Sequence, residues 1–333
     1  MALLSIREAL GRALREEMER DERVFLMGEE VGEYDGAYKV SKGLLAAFGP
    51  ERVRDTPIAE LGFTGLGVGA AIAGLRPVVE WMTHNFALLA LDQVVNEAAK
   101  MRYMSGGTLS VPIVFRGPSG PAEQLGAQHS QSFASYWAHV PGLKVVAPGN
   151  AADAYGLLKS AIRDEDPVVV LESELMYGWK GEVPDGEFLV PIGRAERKRS
   201  GTDLTILAYS RALAEANEAA DRLAARGIQA ELIDLRTLRP LDEELIFESV
   251  RRTNRCVVVD ESWPVASVGS HLGWLVSSSC FDRLDAPVEL VSLEDVPMPY
   301  NRGLELAAQP TADKIVAAAL RTLYLDEDAH PKE

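Results

Sequence analysis

The stretch DTPIAELGFTGLGVGAAIAGLRP, residues 55–77, sets a lone carboxylate, Glu60, ahead of a run of glycine and alanine residues. Each glycine inside a helix costs about 1 kcal/mol relative to alanine, so such a helix usually lets another backbone or a ligand come close. In poorly solvated surroundings Glu60 would have a raised pKa and could share a proton with a ligand. The competing interpretation is a packing helix with a capping glutamate, and the stretch alone favours neither.

Length and composition limit the class of protein. The chain has 333 residues, which suggests two domains at about 150 residues each. A net charge of −16 argues against nucleic-acid binding, because phosphates require a basic surface. No apolar run approaches the roughly 20 residues that span a membrane, and MALLSIREAL leads into a charged helix rather than a secretory signal. Cys256 and Cys280 lie in apolar segments typical of buried thiols, so we expect a cytoplasmic protein.

Apolar strands alternate with amphipathic helices along both halves of the chain. Near-continuous Val, Ile and Leu strands separated by helices indicate parallel sheets covered on both faces. We therefore predict an α/β protein with two parallel-sheet domains, residues 1–180 and 201–333, joined by a linker at 181–200 and ending in a frayed tail. The predicted strands are 24–27, 77–82, 111–117, 143–148, 167–173, 204–210, 228–236, 256–261 and 288–293, and the predicted helices are 5–20, 41–48, 88–103, 151–163, 211–226, 242–252, 267–281 and 311–324.

Several polar residues follow predicted strands, where α/β proteins place ligands. Glu29 lies in the loop GEEVGEYDG, for which a plain solvated loop is the alternative. His129, in AQHSQ, could donate to a substrate carboxylate or move a proton near neutral pH, although a surface histidine is also consistent with the pattern. His84 and Phe86, just beyond the strand 77–82, are predicted to line the same cleft; for His84 the alternative is a packed histidine at a strand end.

Several familiar motifs are missing or out of context. The histidines and cysteines lack the spacing of a zinc site, and neither a GxSxG elbow nor a P-loop occurs. Gly65 to Ala70 matches the dinucleotide fingerprint GxGxxA, but the segment ahead of it does not read as a buried strand. Nucleotide binding at this motif is therefore disfavoured.

Several blocks together resemble one enzyme family. They are GEEVGEYDGAYKVSKGL, DTPIAELGFTGLGVGAAIAGLRPVVEWMTHNF, DQVVNEAAKMRYMSGG, AQHSQSF, LLKSAIRDEDPVV and DLRTLRPLD. The chain resembles the beta subunit of the thiamine-diphosphate-dependent 2-oxo acid dehydrogenases, and VPMPYNRGLE is most similar to the pyruvate type. The resemblance implies a transketolase-like fold, with a pyrimidine-binding domain followed by a transketolase C-terminal domain.

The resemblance also implies roles for particular residues. Glu60 would hydrogen-bond N1′ of the cofactor's aminopyrimidine ring and His129 would be the catalytic histidine, assisting acyl transfer to lipoamide. His84, Gln128 and His129 would face the substrate, although pyruvate-type relatives usually have an aromatic residue at the position of His84. The other implied cofactor contacts are Glu29, Ile58, Ala59, Met82 and Phe86. The implied ligands of a structural potassium ion are Ile113, Ala161, Ile162, Asp164 and Asp166.

The resemblance further implies partners. This chain has no Gly-Asp-Gly motif of the kind that holds magnesium and the diphosphate in this class, so an alpha subunit is expected to supply it. We expect a tetramer of two alpha and two beta subunits that docks the subunit-binding and lipoyl domains of a dihydrolipoyl acyltransferase. The expected reaction converts pyruvate, the product of glycolysis, into a lipoyl-bound acetyl group destined for acetyl-CoA. The alternatives are a branched-chain 2-oxo acid or acetoin dehydrogenase, a non-catalytic scaffold subunit and, less favoured, a nicotinamide oxidoreductase.

Overall fold

The computed structural model describes residues 1–325 and divides into two compact units. The first unit comprises residues 1–119 and 136–192, and the second comprises residues 120–135 and the chain from 193 onward. The tail 326–333, for which the sequence predicts fraying, lies outside the described residues. Within residues 1–325, no helix combines the length and the apolar character needed to cross a bilayer.

The first unit alternates strands with helices. Its strands are β1 (Ala2–Ser5), β2 (Val24–Gly28), β3 (Val53–Asp55), β4 (Arg76–Glu80), β5 (Val114–Pro118), β6 (Lys144–Val146), β7 (Val168–Glu172) and β8 (Lys180–Val183). Its helices are α1 (Ile6–Arg20), α2 (Leu44–Phe48), α3 (Glu60–Ile72), α4 (Ala99–Met104) and α6 (Ala151–Arg163), with the short α5 (Ala134–Ala138) at a boundary between the two units.

The central sheet of the first unit is parallel, as the sequence predicts. Its strands lie in the order β6-β7-β5-β4-β2-β3, and each neighbouring pair runs parallel. Every residue of β2, β4, β5 and β7 is buried, because helices cover both faces of the sheet. A separate antiparallel pair, β1 with β8, was not predicted.

Two helices of the first unit begin as their sequences indicate. The Ser5 side chain accepts from the Glu8 backbone N–H, and the Glu8 side chain accepts from the Ser5 backbone N–H at 2.8 Å, which is a complete capping box at α1. Asn150 caps α6 by accepting from the backbone N–H of Asp153. Both caps satisfy backbone donors that the first turn of a helix leaves without partners.

Two predicted helices differ from the structure. The helix predicted at 41–48 begins only at Leu44, because Gly43 adopts a left-handed conformation with φ of 74°. The single helix predicted at 88–103 is instead a 3₁₀ turn at Ala87–Ala90, a π-helical segment at Gln93–Ala98 and then α4. α3 packs closely on the π-helical segment: a Cβ on Gly65 would lie 3.3 Å from Cγ of Gln93. Segments of this kind are frequent near functional sites.

A buried ion network joins three strands of the parallel sheet. The guanidinium of Arg116 in β5 pairs with Glu80 of β4 and donates to Glu172 of β7 at 2.6 Å. Tyr177 donates its hydroxyl to the same Glu172 at 2.6 Å. Because all four side chains are buried, loss of one partner would leave an uncompensated charge in the core. The network therefore fixes the strand ends from which the loops of the site depart.

The second unit is a smaller α/β layer. Its strands are β9 (Glu196–Arg199), β10 (Leu204–Ala208), β11 (Ala230–Asp234), β12 (Thr237–Arg239), β13 (Cys256–Val259) and β14 (Glu289–Val291), and its helices are α7 (Ala212–Ala224), α8 (Glu243–Thr253), α9 (Val268–Ser279), α10 (Arg302–Ala308) and α11 (Ala312–Thr322). Its sheet has the order β14-β13-β10-β11-β9 and is parallel except for β9. Cys256 and Cys280 are both buried and free.

Candidate active site

Glu60 is the first residue of α3 and is almost completely buried. Its exposed fraction is 3%, whereas Ile58, two residues earlier, is 83% exposed. Ala59 is the N-cap, so no side chain caps this helix. The N-terminus of a helix carries a partial positive charge, which favours a carboxylate at this position. The sequence-based expectation of a desolvated carboxylate at the start of a small-residue helix is thus met by the fold.

Glu29 lies directly after β2 and is also buried, with 4% of its surface exposed. The next residue, Glu30, takes a left-handed conformation with φ of 59°, which turns the chain sharply after Glu29. Asp55 holds the loop that follows, because its carboxylate accepts from the backbone N–H groups of Gly32 at 2.6 Å and Glu33 at 2.9 Å. The polar loop predicted at this strand end is therefore ordered and turns Glu29 inward.

The structure brings Glu29 and Glu60 into contact. The pKa of Glu29 is raised to about 7, first by burial and then by the charge of Glu60 and a hydrogen bond with it. Oε1 of Glu29 is buried and finds no hydrogen-bond partner among the described residues. Two adjacent carboxylates that share a proton near neutral pH, with one oxygen unsatisfied, suit a ligand that offers N–H groups and exchanges a proton.

The segment after β4 holds the other two implied ring contacts. Met82 and Phe86 are half-buried, whereas Trp81, Thr83 and the residues just before Phe86 are buried. Phe86 donates its backbone N–H to the carbonyl of Thr83 at 3.1 Å, which closes a tight turn. The two partly open side chains of this segment are therefore the ones that the resemblance assigns to the cofactor.

His84 requires a correction. The sequence-based expectation sets it against the substrate, but the structure buries its side chain completely. Nδ1 accepts from Nε1–H of Trp137 at 3.1 Å, and Nε2 lies 3.4 Å from the carbonyl oxygen of Val170. Burial lowers the pKa of His84 to about 3. A neutral ring whose two nitrogens both face protein groups is not placed to bind a substrate carboxylate, so the packed-histidine alternative is the correct one.

His129 and Gln128 belong to the second unit. Both are exposed on the 3₁₀ turn Ala127–His129. The loop around them is held within that unit: Gly120 donates its backbone N–H to the carbonyl of Gln131 at 2.9 Å, and the hydroxyls of Ser132 and Ser262 lie 3.0 Å apart. Their exposure is consistent with a role in binding and with an ordinary surface loop, so the catalytic role of His129 stays a prediction.

Four of the five residues proposed for potassium lie at or just beyond the end of α6, and Ile113 lies directly before β5. A single nitrogen of Arg76, Nη1, donates at 3.0 Å to the carbonyls of both Ile162 and Asp164, so these two oxygens converge. The Ala161 carbonyl accepts from the backbone N–H of Asp164 at 3.2 Å. Lys144 holds the carboxylate of Asp166 at 3.1 Å. The contribution of Arg76 was not foreseen, and no sequence pattern signals it.

The glycines of α3 have different roles. A Cβ on Gly67 would lie 2.7 Å from Cγ2 of Val79, so Gly67 permits close packing of α3 on β4. A Cβ on Gly69 would meet nothing within 4 Å. These glycines lie inside α3 rather than at its start, which is not the strand–turn–helix arrangement of a dinucleotide site. The GxGxxA match is therefore incidental.

Comparisons with known proteins define the class of this two-unit fold. Residues 3–180 match the family "Transketolase, pyrimidine binding domain" and residues 193–315 match "Transketolase, C-terminal domain". Among solved structures, a "Split gene transketolase, inactive beta4 tetramer" superposes with a TM-score of 0.78 at 26% identity, covering 97% of this chain and 99% of that one. The transketolase-like fold expected from the sequence is confirmed.

Curated relatives narrow the class further. The chain is 57% identical over 325 residues to "Pyruvate dehydrogenase E1 component subunit beta-2, mitochondrial" of Oryza sativa subsp. japonica, covering 96% of this chain and 86% of that protein. It is 53% identical to "Pyruvate dehydrogenase E1 component subunit beta" of Rhizobium meliloti (strain 1021), covering 97% of this chain and 71% of that protein. The chain belongs to the family of pyruvate dehydrogenase beta subunits.

The coupling of Glu29 to Glu60 predicts a pH-dependent stability. Because the pKa of Glu29 is about 7 in the folded protein and 4.5 in the reference state, the folded chain binds this proton more tightly. Its stabilising effect is complete below about pH 4.5 and is lost as the pH rises through about 7. We expect Glu29→Gln, which mimics the protonated form, to raise the thermal midpoint more at pH 8 than at pH 5. Glu33→Gln, at an exposed carboxylate, is the matched control, and a pH-independent effect of Glu29→Gln would contradict the coupling.

Proposed function

We propose that this chain, together with an alpha subunit, catalyses the thiamine-diphosphate-dependent oxidative decarboxylation of pyruvate and the acetylation of a lipoyl group. The observation that carries this proposal is the buried Glu29–Glu60 pair at the start of α3, in a chain whose relatives are named pyruvate dehydrogenase beta subunits. A scaffold subunit would need no such pair, since two adjacent buried carboxylates destabilise a fold unless a ligand uses them.

The cofactor, when bound, supplies the carbon nucleophile that attacks the oxo carbon of the substrate. Glu60 holds a proton at N1′ of its aminopyrimidine ring, and the shared proton of the Glu29–Glu60 pair keeps this exchange possible near neutral pH. Oε1 of Glu29, which is buried without a partner among the described residues, would accept from the ligand. The side chains of Ile58, Ala59, Met82 and Phe86 would hold the ring, and Met82 and Phe86 are half-buried.

His129 and Gln128 act on the substrate side. The imidazole of His129 is exposed on its turn, and its N–H donates to the carboxylate of pyruvate and later assists acyl transfer to the lipoyl group. The amide of Gln128 offers a second donor to the same carboxylate. His84 is not part of this set.

Partner proteins would supply the binding sites that the reaction requires and this chain lacks. An alpha subunit would bind magnesium and the diphosphate, giving a tetramer of two alpha and two beta subunits that includes a second copy of this chain. The net charge of −16 suits docking of a basic subunit-binding domain of the dihydrolipoyl acyltransferase, whose lipoyl domain receives the acetyl group. The buried free thiols of Cys256 and Cys280 support a reducing compartment, which we propose to be the cytoplasm.

The outer face of α3 is the surface that we assign to a partner subunit. Leu61 and Leu66 are 54% and 65% exposed on this helix. A Cβ atom added to Gly69 would meet no other atom of this chain within 4 Å. Beside the helix, a groove of about 1000 Å³ runs along β3 and is lined by Phe25, Met27 and other side chains of the first unit. An exposed apolar helix face next to an open groove indicates burial by another chain.

Activity of the reconstituted alpha–beta complex tests the reaction. We expect Glu60→Gln to lower pyruvate-dependent reduction of an artificial electron acceptor by about 10²-fold or more, because the amide cannot exchange the proton at N1′. Size-exclusion chromatography should show an intact tetramer for this variant. Near-normal turnover by an assembled Glu60→Gln complex would remove Glu60 from the mechanism.

The same assay tests the role of His129 and the choice of substrate. His129→Ala should reduce acetylation of a free lipoyl domain more than it weakens binding of the cofactor. Pyruvate should be turned over faster than 2-oxoisovalerate or acetoin by the wild-type complex. Preference for 2-oxoisovalerate or acetoin would assign the chain to that branch of the class while leaving the Glu60 result unaffected.

If a partner subunit packs closely on α3, a larger side chain on this helix should weaken assembly. Gly69→Leu adds a side chain where this chain has open space and replaces an unfavourable helical glycine, so the thermal midpoint of the isolated chain should not fall and should rise slightly. In the complex the same side chain would overlap the partner, and we expect affinity for the alpha subunit to fall by about ten- to hundred-fold. Ala214→Leu, at an exposed position of the equally long helix α7, is the control. Unchanged assembly of Gly69→Leu would move the interface away from α3.

Potassium binding at the end of α6 belongs to the same proposal. The ligands would be Ile113, Ala161, Ile162, Asp164 and Asp166, mostly through their backbone carbonyls. The convergence of two of these oxygens on Arg76 supports a cation cradle, and a carbonyl that accepts one hydrogen bond keeps a second lone pair. We expect the thermal midpoint to be higher in KCl than in choline chloride at equal ionic strength. Identical midpoints would show that Arg76 satisfies the carbonyls of Ile162 and Asp164 without potassium.

A further inference from the structure

The segment between β4 and the 3₁₀ turn at residues 87–90 alternates half-buried and buried residues. Its half-buried residues, Met82 and Phe86, are proposed cofactor contacts, and His84 lies midway between them with its side chain completely buried. A segment that presents two side chains to a ligand needs its other side fixed. His84 occupies that side.

Hydrogen bonds that do not involve the imidazole of His84 fix part of this segment. The N–H of His84 donates to the carbonyl of Pro118 at 2.9 Å, and the Thr83 hydroxyl lies 3.3 Å from the same oxygen. Asn85 donates its side-chain amide to the Thr83 hydroxyl at 2.7 Å. These bonds hold the segment to the end of β5, and they would persist with another residue at position 84.

The imidazole ties the segment to two further elements. Because Nδ1 accepts from the indole N–H of Trp137 in α5, Nε2 carries the proton and faces the carbonyl of Val170 in β7. The indole of Trp81 packs edge-on against His84 at 5.2 Å between ring centroids and stacks on Phe115 at 5.1 Å. A phenyl ring at position 84 could pack here but could neither accept from Trp137 nor donate to Val170.

We propose that His84 is a positioning residue that holds Met82 and Phe86 in register for the aminopyrimidine ring through its hydrogen bonds to Trp137 and Val170. The inference rests on the proposed function, because it takes Met82 and Phe86 as contacts of that ring. In this role His84 affects binding of the cofactor and does not contact the substrate. A side chain can thereby affect cofactor affinity from inside the core.

A comparison of variants in the reconstituted complex tests this role. His84→Phe removes both hydrogen bonds while keeping an aromatic ring, and we expect the Kd for thiamine diphosphate to rise by about five- to thirty-fold. At saturating cofactor, kcat and the KM for pyruvate should stay within about two-fold of wild type. The double variant His84→Phe with Trp137→Phe still lacks the anchoring bonds, so its Kd should stay close to that of His84→Phe. Recovery of affinity in the double variant would show that an unpaired Trp137 N–H, rather than lost positioning, caused the loss and would overturn the proposal.

The outcomes separate this inference from the proposed function. A lower thermal midpoint with unchanged cofactor affinity would reduce His84 to a residue of stability alone and overturn the proposal. A changed preference between pyruvate and 2-oxoisovalerate with unchanged cofactor affinity would overturn it in favour of a substrate role. If the wild-type complex bound no thiamine diphosphate at all, the proposed function would fail before His84 was tested.

Discussion

The constraint on which the first unit depends is the burial of two carboxylates side by side. Glu29 arrives from the end of β2 and Glu60 from the start of α3, and each is almost fully withdrawn from water. Two buried negative charges in contact cost free energy, and the fold lowers that cost by holding a proton on the pair. The left-handed turn at Glu30 and the N-terminal end of α3 serve this arrangement.

The remainder of the unit keeps these two residues in place. Gly67 lets α3 lie close to β4, which sets the height of Glu60 above the sheet. The Arg116 network ties the ends of β4, β5 and β7, and the segment containing Met82, His84 and Phe86 leaves from that edge. Ligands in parallel α/β sheets bind beyond the carboxyl ends of the strands, and the polar side chains described here gather at that edge.

Features of the fold that depend on short stretches of sequence could be predicted from the sequence. The capping box of Ser5 and Glu8 and the continuous apolar strands depend on short stretches of sequence, and both are confirmed. Glu60 is buried at the start of α3, and its catalytic role stays a prediction. Long-range pairings could not be predicted. Glu29 and Glu60 are in contact although α2, β3 and the loops around them separate the two residues along the chain. The acceptor of the Trp137 indole lies 53 residues away in His84.

Misjudged segments also have physical causes. The helix predicted at 88–103 has the right apolar spacing, but packing against α3 favours a π-helical stretch over regular hydrogen bonding. His84 looked like a ligand because it follows a strand, and only the burial of both ring nitrogens shows otherwise. Residues 120–135 group with the second unit, which no composition shift in the sequence indicates.

The apolar outer face of α3 has a consequence for the life of the chain before assembly. Leu61 and Leu66 are more than half exposed, Ile58 lies just ahead of the same helix, and under our proposal a partner subunit covers this face in the assembled enzyme. A newly synthesised copy made in excess over its companion would therefore be prone to aggregation and to removal by quality-control proteases. The exposed apolar surface of α3 therefore makes balanced synthesis of the two polypeptides a requirement.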